Sequence, residues 1–523
     1  MTAYENLKNT ISKLASVYVV FLFIAFPLFV HDMYFDIMND KFYLFWVSCA
    51  VVAGASLIIT LIYGLTDLTK DHGRGVKAFF REFLPANIKK HLSLPDCFFI
   101  LFMVISILST ALSEYPYEAF WGQYGRYQGL FLWIFYGALY VLISRFYRAK
   151  RWHFDLFLLV GVILSLWGCL DYIGADPLGW RAAIGDPSFR YDFSSGIGNV
   201  NSLTAMLALY MSAAAVMFID QPMSDFKGKC RKALYGLALL ITFTAVIMSA
   251  SDNGALAVGA LLFVLPFYAW KNRQGTLSYL AAAALFMLAM YSTGSITAWV
   301  HEANAAAQAA GGSFFLDIMP EGKWGVLLML SNKQTLLMAE LFVILCFIGV
   351  FMYFLDFSAY QKKRKEVLGE YHFEDYMAED IGKASRIVWG LLGLSALIGL
   401  IWLFYDANTG GHPEWYQNYS KFFIFNDRWG TNRGYNWKLI ISYFAMLPLF
   451  RKFIGAGPET YGVYTGIRDY YTMLEEMNET YDSPHNEVLQ YLFSVGIIGT
   501  IGYYGMVISA IFGGIFGKGK NTI

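Results

Sequence analysis

The chain has 523 residues, of which 57% are hydrophobic and only 15% charged, with equal numbers of basic and acidic side chains. About a quarter of the residues of a soluble domain are charged, so this composition excludes an ordinary soluble protein and predicts an integral membrane protein. The net charge of zero says little about partners, and we expect no nucleic acid among them.

About twelve apolar stretches are long enough to cross a membrane, since a spanning helix needs about 20 mainly apolar residues. They are 14–30, 43–63, 96–113, 128–146, 154–173, 202–219, 233–249, 254–270, 277–297, 334–355, 387–405 and 488–516. Backbone that faces lipid must satisfy its own hydrogen bonds, so these stretches are expected to be helices. The sequence therefore predicts an all-α, polytopic membrane protein.

The predicted spans divide the chain into three parts of one membrane domain. Residues 1–405 hold eleven spans with short loops, residues 406–487 form a long external loop, and residues 488–523 hold the last span and a tail. Placing the N-terminus in the cytoplasm puts about two thirds of the 39 Lys and Arg residues on that side, as the positive-inside rule requires. The first span lacks a signal-peptide cleavage site and is expected to remain. We therefore expect both termini in the cytoplasm.

With this orientation, the polar stretches that resemble neither spans nor linkers all lie outside. They are "YGRYQG", "GIGNVNS", "SASDNG", "WGTNRGYNW", "GAGPETYG" and "SPHNE". The outer surface has no nucleotide pool, so an enzyme there needs a substrate that is already activated and is delivered within the membrane. A lipid-linked donor meets that requirement.

The stretch "SPHNE" directly precedes the last span. Ser483 followed by Pro484 predicts a helix start with a Ser N-cap and Pro at the first helical position, which puts His485 and Asn486 in the first turn. The positive end of a helix favours a bound anion and a neutral imidazole, the form that a general base requires. Alternatively, His485 and Asn486 only cap the helix at the membrane interface.

Two external arginines are candidate ligands for a phosphorylated substrate. The planar guanidinium of Arg433 suits a diphosphate, whose departure requires its charge to be neutralised. The alternative is an ion pair with a local carboxylate such as Asp427. Arg126 in "YGRYQG" has the same two interpretations, although cations are scarce in short external loops.

Asn199 and Asn201 lie just before the sixth span. Their amides suit hydrogen bonds to sugar hydroxyls, but both can also cap the helix, and for Asn201 we favour capping. The Gly-rich stretch "GAGPETYG" lacks the strand and the lysine of a phosphate-binding loop, so it predicts a turn.

In this order and on one side of the membrane, "GNVN", "NRGYNWKLI", "GAGPETYG" and "HNEVLQYLFSVGIIG" resemble the O-antigen ligase and polymerase family. The resemblance implies an inverting GT-C membrane glycosyltransferase that needs neither metal nor cofactor. Its donor is a glycan on undecaprenyl diphosphate, and its acceptor is a hydroxyl of a glycan, lipid or protein at the outer face of the bacterial cytoplasmic membrane. The resemblance also implies that His485 activates the acceptor and that Arg433 holds the diphosphate.

One feature departs from the family pattern. The family usually has a Ser-Arg pair at the outer end of a middle span, whereas this chain has Asp252 and Asn253 in "SASDNG". An acidic residue cannot neutralise a diphosphate. We therefore expect either that Arg126 or Arg190 supplies the missing charge or that the donor has a different head group.

A transporter or flippase for lipid or glycan is the main alternative from another class. Transporters usually carry ionisable residues near the middle of the membrane, and the spans of this chain are nearly free of them. A receptor that uses the external loop is a third possibility. Both alternatives predict that His485→Ala is tolerated, whereas a transferase does not tolerate it.

Overall fold

The computed structural model describes residues 3–33, 35–70, 72–82, 92–180, 183, 193–311, 318, 323, 325–366, 371–410 and 412–516. The elements in these ranges are α1 (Ala3–Leu28), α2 (Ile37–Lys70), α3 (Arg74–Glu82), α4 (Leu94–Ala111), α5 (Pro116–Trp121), α6 (Leu130–Phe146), α7 (Arg151–Tyr172), α8 (Val200–Asp220), α9 (Phe226–Met248), α10 (Asp252–Ala269), α11 (Arg273–Ala309), α12 (Val326–Lys333), α13 (Thr335–Glu366), α14 (Phe373–Ala378), α15 (Ala384–Thr409), a 3-10 helix (Pro413–Tyr419), α16 (Ser420–Phe423), α17 (Trp429–Met446), α18 (Leu449–Ile454), α19 (Tyr461–Arg468), α20 (Tyr470–Met477) and α21 (Glu487–Phe516).

Among the described residues, 11 helices are long and apolar enough to cross a membrane. A further apolar helix, α6, has 17 residues. At about 1.5 Å per residue it is about 26 Å long, close to the thickness of a bilayer core. Each of the twelve predicted spans overlaps one of these helices, and the prediction of an all-α polytopic membrane protein is confirmed.

The chain forms two compact units. One contains Met1–Val19, Lys41–Ala149 and Ile398–Ile523, and the other contains Val20–Asp40 and Lys150–Leu397. The second unit is built around α7 to α11, whose largest buried side chains include Tyr210, Phe243 and Leu239. Helices α13 and α15, by contrast, are almost unburied: only 6% and 0% of the residues in their most apolar 18-residue stretches are buried inside the protein. Because their exposed side chains are apolar, these faces fit contact with membrane lipid.

In the first unit, α4 packs along α21, and Phe102, Ile105 and Val495 are buried there. Helix α21 is interrupted at Gly496, which has φ +66° and ψ −172°. Residues with a side chain avoid this conformation. A Cβ atom at Gly496 would also lie 2.4 Å from the carbonyl carbon of Phe453. Only glycine therefore fits where the two parts of α21 meet.

The interruption leaves backbone carbonyls of α21 without their usual helical donors, and the protein supplies others. The carbonyl of Phe493 accepts from the amide of Ala456 at 2.8 Å, and that of Ser494 accepts from the amide of Gly457 at 3.0 Å. The hydroxyl of Ser109 also donates to the Ser494 carbonyl, at 2.7 Å. Irregular backbone near a membrane requires such partners. The turn that follows α18 is thus fixed against α21.

The long segment 406–487 was predicted as an external loop, and its described residues are largely helical. Helices α17 and α19 enclose a small aromatic core of Tyr443, Tyr461, Tyr464 and Phe493, the last contributed by α21. Tyr464 also donates a hydrogen bond to Glu114, which follows α4. These contacts give the segment a fixed structure against the N-terminal part of α21.

Candidate active site

Helix α17 holds the turn that precedes α21. Arg433, Asn436 and Trp437 are spaced i, i+3 and i+4, so they share one face of α17. The amide of Asn436 donates to the carbonyl of Ser483 at 2.8 Å, and the indole of Trp437 donates to the carbonyl of Pro484 at 3.0 Å. The same helix face therefore carries Arg433 and fixes the backbone next to His485.

Asn436 is the most constrained of these three side chains. It is fully buried, and its side-chain oxygen accepts a hydrogen bond from the hydroxyl of Tyr461, itself buried in the aromatic core. Its amide therefore has one orientation. The position of the Ser483–Pro484 turn is consequently set by the aromatic core of the segment 406–487.

The predicted helix start at Ser483 is wrong. Helix α21 begins at Glu487, and Asn486 is its cap, because the Asn486 side-chain oxygen accepts from the amide of Leu489 at 3.1 Å. The hydroxyl of Ser483 instead accepts from the amide of His485 at 3.3 Å, and His485 takes a left-handed φ of +49°. Asn caps a helix as well as Ser does, so a cap three residues later is physically equivalent. His485 therefore lies outside the helix, and of the two interpretations of Asn486 the structure supports capping.

The surroundings of His485 favour its neutral form. His485 is an exposed residue, but partial desolvation by this turn lowers the pKa of the imidazole below its ordinary value of 6.5, and the positive charges of Arg126 and Arg433 lower it further. Asp482 and Glu479 act in the opposite direction without reversing the shift. Within the described part of the chain, no residue hydrogen-bonds to the imidazole. The ring is thus a neutral base at pH 7, available to a ligand.

Arg433 is half-buried on α17 and does not pair with Asp427, so the local ion pair considered from the sequence is wrong. Asp427 accepts from the ammonium group of Lys438 at 2.9 Å. No described residue forms a hydrogen bond or ion pair with the guanidinium of Arg433. Its donors are therefore available close to His485, whose pKa they lower.

Arg126, in contrast, is occupied. Its Nε and one terminal nitrogen each donate to an oxygen of Asp482 at 2.7 Å, which is a bidentate pair. Burial alone would raise the pKa of the Asp482 carboxyl, but the hydrogen bonds from Arg126 outweigh burial and keep the pKa below its usual value. Of the two roles considered for Arg126, a diphosphate ligand or one partner of an ion pair with a carboxylate, the structure therefore supports the ion pair. Its pair joins the loop "YGRYQG" to the turn that carries His485.

Glu459 is a site residue that the sequence analysis missed. It lies in "GAGPETYG", which forms a turn as predicted, and has a left-handed φ of +56°. Its side chain is only 5% exposed, and within the described part of the chain its Oε2 has no hydrogen-bond partner. Burial raises the pKa of this carboxyl to about 7; Arg126 opposes the shift and Asp482 adds to it. An acidic residue in a Gly-rich turn was the available signal, but its burial cannot be deduced from the sequence.

Asn199 and Asn201 belong to the other compact unit. Asn199 caps α8, since its side-chain oxygen accepts from the amides of Asn201 and Ser202 at 2.9 and 3.2 Å. The preference for Asn201 as the cap is therefore wrong. The Asn201 side-chain oxygen instead accepts from the amide of Asn253 at 3.2 Å, which joins "GNVN" to the divergent "SASDNG" stretch.

Arg190 lies outside the described residues. Among those that are described, no group of three or more His, Cys, Asp or Glu side chains is placed to hold a metal ion. Comparison of the chain with protein family models, curated proteins and solved structures finds no match. The fold itself defines a multi-pass helical membrane protein.

Proposed function

We propose that this protein is an O-antigen ligase-like glycosyltransferase of the bacterial cytoplasmic membrane. It transfers a glycan from undecaprenyl diphosphate to an acceptor hydroxyl at the outer face, without a metal ion and with inversion. One observation carries the proposal: a neutral imidazole, His485, lies close to Arg433, a guanidinium with no partner among the described residues.

The chemistry follows from these two groups. His485 takes the proton of the acceptor hydroxyl as that oxygen attacks the anomeric carbon, and the bond from this carbon to the diphosphate oxygen breaks. Arg433 neutralises the departing diphosphate with donors whose geometry matches phosphate oxygens. A ligase and a polymerase of this family share this step and differ in the acceptor, which is a hydroxyl of a lipid, protein or growing glycan.

The structure changes the role that we assign to Arg126. The sequence suggested it as a replacement for the missing family arginine, but its bidentate contacts go to Asp482. We assign Arg433 as the cation that holds the diphosphate and Arg126 as a residue that positions the His485 turn. Asn201 stays a candidate for contact with the donor sugar, because its side chain is exposed.

Purified protein supplied with a radiolabelled lipid-linked oligosaccharide and candidate acceptors tests the proposal. We expect His485→Ala to lower transfer by about 10²- to 10⁴-fold, the usual contribution of a general base. Arg433→Ala should lower transfer by about 10²-fold or more, because it removes the charge on the leaving group. Both variants should remain folded in the membrane.

Matched controls are present in the chain. Arg428→Ala removes an exposed cation from the same segment, and His301→Ala removes an exposed histidine from the other unit. Both should retain transfer. Full activity of Arg433→Ala would contradict the assignment of Arg433 as the diphosphate ligand. Full activity of His485→Ala would favour a transporter or a receptor.

A further inference from the structure

Arg126 and Asp482 pair beside the His485 turn, and the buried Glu459 lies within range of both charges. Asp482 holds the guanidinium of Arg126 through two hydrogen bonds of 2.7 Å. Glu459 feels the charges of both groups. This charge cluster therefore contains two carboxyl groups and one guanidinium.

Glu459 differs from Asp482 in its access to water. The Asp482 side chain is 53% exposed, so water stabilises its charge in addition to Arg126. Glu459 is 5% exposed, and its Oε2 has no hydrogen-bond partner within the described part of the chain. An ionised carboxylate in such a position is costly unless it gains a cation. Glu459 must therefore either hold a proton or compete with Asp482 for Arg126.

Within the part of the chain that the structure describes, the elements around Glu459 offer no second cation that acts on it. The turn 455–460 packs against α21, against the region that follows α4 and against Gln123, whose backbone favours the ionised form of Glu459. Nearby charged groups are engaged elsewhere: Glu114 accepts from Tyr464, and Arg451 donates to the carbonyl of Gly455. Of the described residues, only Arg126 and Asp482 act on the Glu459 carboxyl through their charges.

We propose that Glu459 is a pH-dependent positioning residue for His485. The protonated carboxyl leaves Arg126 to Asp482, so that the turn 482–485 stays fixed. Loss of the proton to solvent creates a second carboxylate, which draws Arg126 away from Asp482 and loosens this turn. The effect of this loosening on catalysis rests on the proposed function: glycan transfer falls as the pH rises above neutral.

Trp437 reports on this turn without any substrate, because its indole donates to the carbonyl of Pro484 at 3.0 Å. The full-length protein is labelled with 5-fluorotryptophan and studied by fluorine NMR in detergent micelles, and Trp437→Phe identifies the resonance. We expect the Trp437 resonance to shift between pH 5.5 and 8.5, with a midpoint near 7 set by Glu459. Glu459→Gln should abolish this transition.

Two charge variants test the assignment even if Glu459→Gln does not fold. Arg126→Gln removes the cation through which Glu459 acts on the turn, so the pH transition of the Trp437 resonance should be lost. Asp482→Asn removes a negative neighbour, so the midpoint should move to lower pH. His485→Gln should leave the transition in place, which separates it from titration of the imidazole.

The inference is overturned if the wild-type resonance shows no transition or if Glu459→Gln retains it unchanged. An unchanged transition in Arg126→Gln, or a midpoint that moves to higher pH in Asp482→Asn, would also overturn it. Because this titration uses no glycan donor, its failure is separate from a failure of the proposed function. With transfer as the readout, Glu459→Gln should keep its activity above pH 7, where the wild type loses it.

Discussion

His485 owes its chemical state to its backbone as much as to its neighbours. A left-handed φ is uncommon for a residue with a side chain. It places the imidazole ahead of the Asn486 cap, where the ring is not part of α21 and has no hydrogen-bond partner among the described residues. The neutral ring then depends on partial desolvation by the turn and on two nearby cations, Arg126 and Arg433. A base positioned in this way keeps its proton-accepting nitrogen for the substrate.

The pKa of His485 gives a prediction at the residue scale. Because that pKa lies below 6.5, the neutral form persists to lower pH, and transfer should rise with pH through a midpoint below 6.5. Arg433→Gln removes a charge that disfavours imidazolium, so the pKa of His485 should rise. NMR of protein with isotope-labelled histidine measures this directly, with the signal assigned by His485→Gln. The exposed control Arg428→Gln should leave the value unchanged, and a fall in Arg433→Gln would contradict the placement of Arg433 beside the ring.

Two elements bring the candidate site together, namely α17 and the interrupted α21. Helix α17 contributes Arg433 and, one turn later, the two donors that fix the Ser483–Pro484 backbone. Helix α21 contributes the cap that follows His485 and, at its break, the carbonyls that hold the Gly455–Gly457 turn. Glu459 is placed by this turn, so the break in α21 and the charge cluster are structurally coupled.

A substitution at the break should have a large effect on stability. Gly496→Ala forces a side chain into a conformation that costs about 1–3 kcal/mol, in addition to its clash with Phe453. We expect a clearly lower thermal unfolding midpoint in detergent. Gly513→Ala is the matched control, since its Cβ meets nothing within 4 Å in the same helix. Equal midpoints for the two variants would contradict the break at Gly496.

At the scale of the elements, the sequence predicts the spans and the polar motifs but not the contacts between distant segments. The spans follow directly from the length of apolar runs, and the polar cluster before α21 was visible as a motif. The position of His485 outside the helix could not be predicted, because Ser483 and Asn486 are equally good caps. Only tertiary contacts from Asn436 and Trp437 select between them. The pairing of Arg126 with Asp482, 356 residues apart, and the burial of Glu459 depend on packing between distant segments, which no local pattern records.

At the scale of the whole molecule, the spans and the basic residues predict sidedness. We expect the segment 406–487 outside and the end of α13 in the cytoplasm. Single cysteines at exposed positions test this in a background without the five native cysteines. Glu475→Cys should react with a membrane-impermeant maleimide in intact cells, whereas Lys362→Cys should react only after permeabilisation. The opposite pattern would place the candidate site on the cytoplasmic side and contradict the proposed donor.

The hydrogen bond from Ser109 to the carbonyl of Ser494 joins residues 385 positions apart. At about 5–20 residues per second, a ribosome needs roughly 20–80 s to synthesise the chain between them. During that time α4 is already made while its packing partner α21 is not. The hydroxyls of Ser106 and Thr110 donate to carbonyls of α4 itself, whereas Ser109 gains its partner only once the last span is made. We therefore expect α4 to reach its final packing only after the last span has been synthesised.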